Sequence, residues 1–281
     1  MRFATIEFQG HPRAAIDFGS HYRVTPFHDL AEALRALGGD VSALADVTEF
    51  ETVDVAEAVI RATVMTPNKI ICLGLNFTDH VAEMLHDRPA FPTLFAKYPL
   101  TLTDPYAPIV KPVISDAMDW EVEIGVVIGK PARFVTQERA LDHVAGYTVV
   151  NDVSFRDFQN RTSQFLQGKI FERTTPVGPW LVTRDEVDDA SDLAMTLTVD
   201  GEVMQNGRSS QMIFGVAETI AYLSQILTLE PGDLVSMGTP SGVGAGRNPQ
   251  RFLEPGETME STIEGIGVLA NRIVAPDSST S

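Results

Sequence analysis

Residues 119–130, DWEVEIGVVIGK, set three carboxylates within five residues at the head of a β-forming run. Val122, Ile124, Val126 and Val127 favour a strand, and Gly129-Lys130-Pro131 closes it as a turn. Side chains alternate faces along a strand, so Glu121 and Glu123 point one way while Trp120, Val122 and Ile124 point the other. The apolar side asks for burial. Two like charges stacked on the opposite side repel, so that side needs either open water or a positive charge between the acids. A second run, GYTVVNDVSFRD, ends its strand-like part at Asp152 and offers a third carboxylate from another segment. Oxygen-only clusters of this kind suit Mg²⁺ or Mn²⁺, which keep positions open for water or substrate. Zinc suits it less, since neither histidine nor cysteine accompanies the acids.

The rest of the chain limits what such a strand can serve. With 281 residues, 44% of them hydrophobic, the chain can bury a large core in one large domain or in a large and a small one. The net charge of −17, from 38 acidic and 21 basic residues, argues against nucleic acid and anionic membranes as partners. It does not exclude an anionic small molecule, because a bound cation inverts the local field. Cys72 stands alone, so no intramolecular disulfide forms; in its apolar run it reads as a small core residue. MRFATIEFQG lacks the apolar stretch of a signal peptide, and no run is long enough to span a bilayer, so a soluble, cytoplasmic protein is expected.

Residues 1–66 read as a small α/β unit, with strands at RFATIEF and RAAIDF and a helix over DLAEALRALGG that Gly38-Gly39 stops. From residue 67 to 274 short β-like runs dominate (KIICLGL, EVEIGVVIG, AGYTVVND, GPWLVT, AMTLTVDG, DLVSMG), with helical spacing in MIFGVAETIAYLSQIL. The expected fold class is therefore α+β and β-rich, ending in a flexible tail over 275–281.

Other clues sit around the acidic strand. In LGLNFTDHVAEM a strand ends near Asn76 and a helical turn starts, with Thr78 or Asp79 suited to cap it. His80 and Glu83 then share one face, where a carboxylate orients an imidazole and makes it a better base; alone, the pair fits an ordinary surface contact better. Lys169 and Lys97 could steady an oxyanion or bind an anion in an acid-lined cleft, although a lone lysine is usually just solvated. SMGTPSGVGAG is not a phosphate loop, because no Gly-Lys-Ser/Thr closes it; it reads as a tight turn offering backbone N–H groups and the Thr239 hydroxyl to a ligand.

Taken in order, GLNFTDHVAE, LFAKYP, DWEVEIGVVIGK, AGYTVVNDVSFRDFQ, GKIFERTTPVGPW and LEPGDLVSMGTPSGVG resemble the fumarylacetoacetate hydrolase family over residues 69–274. The resemblance implies a mixed β-roll core with a small N-terminal domain, one Mg²⁺ or Mn²⁺ per chain, and a homodimer. It implies Glu121, Glu123 and Asp152 as metal ligands, His80 and Glu83 as a water-activating dyad, and Lys169 beside the substrate's oxygens. Arg156, Gln159 and Thr239 match pocket residues. The implied activity is hydrolysis of a C–C bond in a β-diketone or acylpyruvate, through an enolate that the metal stabilises. Decarboxylation of an oxaloacetate-type acid and keto–enol or double-bond isomerisation are the alternatives on the same scaffold, with non-catalytic ligand binding behind them. Two positions depart from the family pattern: Glu172 and Gln211 stand where aspartate is common. Both bear on the substrate more than on the chemistry.

Overall fold

The computed structural model describes residues 1–47 and 51–276. Strand Val122–Ile128 lies inside a 12-stranded mixed sheet. It pairs antiparallel with Val144–Asn151 on one side and with Leu234–Ser236 on the other. Leu234–Ser236 runs parallel to Ile70–Gly74, and Thr93–Lys97 follows antiparallel at that end of the sheet. Beyond Val144–Asn151 come Thr175–Thr183 and then Arg2–Phe8.

Both faces of this strand are covered. Val122, Ile124 and Val126 pack with Met195, Leu197, Met259 and Leu269, which belong to a separate five-stranded sheet. Val127, on the other face, packs with Val150, Leu234 and Cys72 and with Leu30 and Leu34 of helix Leu30–Ala36. Every residue from Val122 to Ile128 is buried, so the acids beside them have no open water to face. A solvated acid face is thereby removed as a reading of DWEVEIGVVIGK. Cys72 is fully buried in this second cluster, as its apolar run predicts.

The first 66 residues add strands to the same sheet: Arg2–Phe8 pairs with Thr175–Thr183 in the register Arg2↔Val182, across the boundary expected at residue 66. Helix Leu30–Ala36 starts on Asp29, whose carboxylate accepts the Glu32 N–H at 2.7 Å. It ends where Gly38 and Gly39 take φ of 65° and 89°, which places the Gly39 N–H on the Leu34 carbonyl at 2.8 Å. Among the described residues no helix is long and apolar enough to cross a membrane. Residues 277–281 of the expected tail lie outside the described residues.

Candidate active site

Strand register assembles the three acids. Val122 pairs with Asn151, and the Asp152 N–H donates to the Glu121 carbonyl at 2.9 Å, so Glu121 and Asp152 sit opposite each other on one face. Glu123, two residues on, shares that face. Oxygens of Glu121, Glu123 and Asp152 all lie within 4.8 Å of one another, and the residues are 5%, 1% and 0% exposed.

Part of the positive charge comes from the chain itself. Lys169 Nζ donates to Glu121 Oε2 and to Asp152 Oδ2, each at 2.7 Å. Lys97 Nζ donates to Asp152 Oδ1 at 2.6 Å, and Arg156 Nη1 meets Glu121 Oε1 at 2.7 Å. Glu123 is held differently, by the Ser236 hydroxyl at 2.5 Å and the Gly238 N–H at 2.9 Å. The two glutamates therefore part company. Burial alone would raise the Glu121 carboxyl, but Lys169 and Arg156 overcome it and hold it at about 2. Burial, followed by the charges of Asp152 and Glu121, pushes Glu123 well above the ordinary carboxylate range. An oxygen-only donor set, converging inside the protein with one acid lacking a cationic partner, is the chemistry a hard divalent cation fits.

Glu121 and Glu123 open onto a cavity of about 70 Å³, lined also by His80, Arg156, Gln159, Lys169 and Thr239. His80 comes from helix Thr78–Glu83, whose N-cap is Phe77 and carries no side-chain capping bond. The cap expected at Thr78 or Asp79 is absent because both lie inside the first turn, and Asp79 is committed to Ser241 instead, whose hydroxyl donates to it at 2.8 Å. His80 Nδ1 is 3.1 Å from Glu83 Oε2. A carboxylate only accepts, so Nδ1 carries the proton and Nε2 is left as the basic nitrogen. His80 is 7% exposed, so the surface-contact reading of the pair gives way to a buried, oriented imidazole.

The glycine-rich loop works otherwise than its sequence predicts. Its N–H groups go to the protein's own acids: Gly238 to Glu123, Gly242 to Glu83 at 2.9 Å, and Gly244 and Ala245 to Asp119 at 2.7 and 3.0 Å. Thr239 does line the cavity, while its hydroxyl accepts from Gln205 Nε2 at 2.8 Å. Lys97 is corrected as a substrate contact. It is not part of the cavity wall, and its ammonium is taken up by Asp152 at 2.6 Å from a 2% exposed position. Arg156 and Gln159 do reach the cavity and are joined to each other at 2.9 Å. Of the two departures, Glu172 is exposed and outside the cavity wall.

Two residues escape the sequence reading. Asp119, fully buried, accepts Arg156 Nε at 2.7 Å as well as the two loop N–H groups, and so aligns the guanidinium with the loop. Its signal is present, as the first acid of DWEVE with no task assigned. Gln205 bridges the Val122 N–H to Thr239 and the Pro240 carbonyl, and nothing in EVMQNGR marks it.

Gly246 shows how tightly Glu83 is seated. A Cβ there would lie 2.5 Å from Glu83 Cδ and 2.8 Å from its Oε1. Gly246→Ala is expected to displace Glu83, loosen His80 and lower kcat by about 10- to 100-fold, with metal affinity kept. Steady-state kinetics beside a metal titration checks both halves.

A family model described as "Fumarylacetoacetate (FAA) hydrolase C-terminal" matches residues 69–274. The human protein "Oxaloacetate tautomerase FAHD2A, mitochondrial" is 42% identical over 221 residues, covering 78% of this chain and 70% of that protein. The fumarylacetoacetate hydrolase from Exiguobacterium antarcticum superposes with a TM-score of 0.87 at 33% identity, over 98% of this chain and 100% of that one. The 5-carboxymethyl-2-hydroxymuconate delta-isomerase from Mycobacterium smegmatis superposes with a TM-score of 0.80 at 30% identity, over 98% of this chain and 100% of that one.

Proposed function

Because the chain belongs to the fumarylacetoacetate hydrolase family, we propose that it is a divalent-metal-dependent enzyme that interconverts the keto and enol forms of a short 2-oxo acid. One observation carries the reading: an imidazole oriented by Glu83 faces the same cavity as Glu121 and Glu123, whose oxygens converge with those of Asp152. Glu121, Glu123 and Asp152 would hold the Mg²⁺ or Mn²⁺. Bound there, the ion would act as a Lewis acid that polarises the 2-oxo group and acidifies the neighbouring C–H.

The chain's own groups do the rest. In the keto-to-enol direction His80 Nε2 takes the proton from carbon and delivers it to the enolate oxygen, and in the reverse direction it carries the proton back, while Glu83 balances the imidazolium formed in between. Lys169, in the cavity wall, presents an ammonium where negative charge grows on oxygen. Arg156 lines the cavity, and its guanidinium suits a carboxylate of the substrate. The tautomerase relative acts, by its name, on oxaloacetate, which supports a compact dicarboxylate as the substrate.

Hydrolysis of an acylpyruvate or β-diketone, which the sequence places first, is the second reading. The same dyad favours it, since Nε2 can equally take a proton from water, and the hydroxide would then cleave the C–C bond. Oxaloacetate freshly dissolved as its enol, and acetylpyruvate in parallel, separate the two when followed by enol absorbance with Mg²⁺ or Mn²⁺. Faster loss of the oxaloacetate enol without pyruvate formation is the expected result, and a chelator should remove it. Cleavage of acetylpyruvate to pyruvate and acetate gives the second reading. No acceleration on either, with either metal, overturns both. Release of CO₂ from oxaloacetate would instead mark a decarboxylase.

The homodimer implied by the resemblance belongs to the same proposal. Phe91, Tyr98, Leu100, Val113 and Ile114 are exposed apolar side chains in one stretch of chain, which supports a second copy as their cover. Light scattering at twice the chain mass is the expected result. A cytoplasmic location is likewise proposed.

A further inference from the structure

The turn that carries His80 is attached at two points to consecutive residues of the glycine-rich loop. Glu83 accepts the Gly242 N–H at 2.9 Å. Asp79, at the other end of the turn, accepts the Ser241 hydroxyl at 2.8 Å and the Ser241 N–H at 3.3 Å on the same oxygen, Oδ2. Its other oxygen accepts the His80 N–H at 2.9 Å. A third group reaches Oδ2 from a different segment: Gln211 Nε2, at 3.4 Å.

Gln211 is one of the two departures from the family pattern, and its two side-chain ends do different things. Oε1 accepts the Arg208 N–H at 2.9 Å, a task that an aspartate's oxygen can also perform. The amide is aimed at Asp79. The backbone around it is tied to the same region, with the Ile213 N–H on the Asn76 carbonyl at 2.7 Å and a bridge between Phe77 and Met212.

We propose that Asp79, clasped by Ser241 and by the side-chain amide of Gln211, is a positioning residue that fixes the His80 turn over the acid triad. The inference rests on the reading of His80 as the base. A turn of six residues has little stability of its own, so its placement comes from such tertiary bonds. Asp79 is not itself part of the cavity wall and reaches it at His80, so its effect on turnover runs through His80.

The test is Gln211→Glu, which keeps the acceptor for Arg208 and turns the donor toward Asp79 into a second carboxylate. Expected is a fall in kcat of about tenfold, since small misplacement of a base is costly, with KM within about twofold because Lys169 and Arg156 stay in the cavity wall. Amide hydrogen exchange across residues 78–86 should speed up. Unchanged kcat and exchange in Gln211→Glu overturn the clasp. If Gln211→Glu does not fold, Ser241→Ala carries the same readouts, and wild-type kcat and exchange there overturn it. Should the wild-type enzyme turn over neither oxaloacetate nor acetylpyruvate, the proposed function fails, while the exchange pattern still decides the clasp.

Discussion

Glu121→Gln is expected to reduce turnover by about a thousandfold or more and to weaken metal binding at the same time. The carboxylate serves two networks. It is one of three converging oxygen donors, and it is also the shared partner of Lys169 and Arg156, each at 2.7 Å. An amide of the same shape gives up the charge in both. Removing one partner of a buried ion pair costs about 3–5 kcal/mol; Asp152 and Asp119 stay behind to share the cations, so the lower end is expected. The loss of a metal-polarised carbonyl is of similar size, and each 1.4 kcal/mol or so is a factor of ten in rate. Calorimetric metal titration, thermal melting of the metal-free protein and turnover should all fall together.

Glu123→Gln makes the informative contrast. That side chain has neutral donors, Ser236 and Gly238, and its ionised form is opposed by burial and by its two acidic neighbours. The amide should cost metal affinity and activity while leaving the metal-free protein as stable as before, or more stable. If both amide variants kept full activity after chelator treatment, the acids would not be a metal centre, and the proposed chemistry would have to be abandoned.

How much of this was legible beforehand depends on the range of the interaction. Glu121 and Glu123 share a face because strand side chains alternate, and His80 and Glu83 meet because residues three apart on a helix do; both rules are local. Asp152 needed one more assumption, that its strand is the antiparallel neighbour, and the register Val122↔Asn151 supplies it. The partners of the acids were not legible. Lys169, Lys97 and Arg156 arrive from three separate segments, and only the assembled sheet decides that Lys97 ends on the outer oxygen of Asp152 instead of in the cavity. The loop N–H groups were assigned to a ligand because sequence shows a donor without showing its acceptor. Asp119, Glu83 and Glu123 are those acceptors, each brought there by tertiary packing.

His80→Ala separates the dyad from the metal centre and so decides what the enzyme does. The imidazole makes its bond to Glu83, not to the acids, so metal affinity should stay within a few-fold of wild type. Loss of a positioned general base costs about 10²- to 10⁴-fold in rate, and the fall should appear in kcat, because Arg156, Lys169 and the metal ligands still bind the substrate. Glu83→Gln should fall less far: the amide can still accept from Nδ1, but it no longer balances the imidazolium formed in the reaction. The comparison across substrates carries the most information. Tautomerisation and hydrolysis both require the base, so both should collapse in His80→Ala. Decarboxylation needs only a polarised carbonyl and no proton acceptor at Nε2. An alanine variant that releases CO₂ from oxaloacetate at the wild-type rate would therefore leave the acid triad in place and remove His80 from the chemistry. A variant inert toward every substrate, yet binding Mn²⁺ as before, is the result the His80–Glu83 pair predicts.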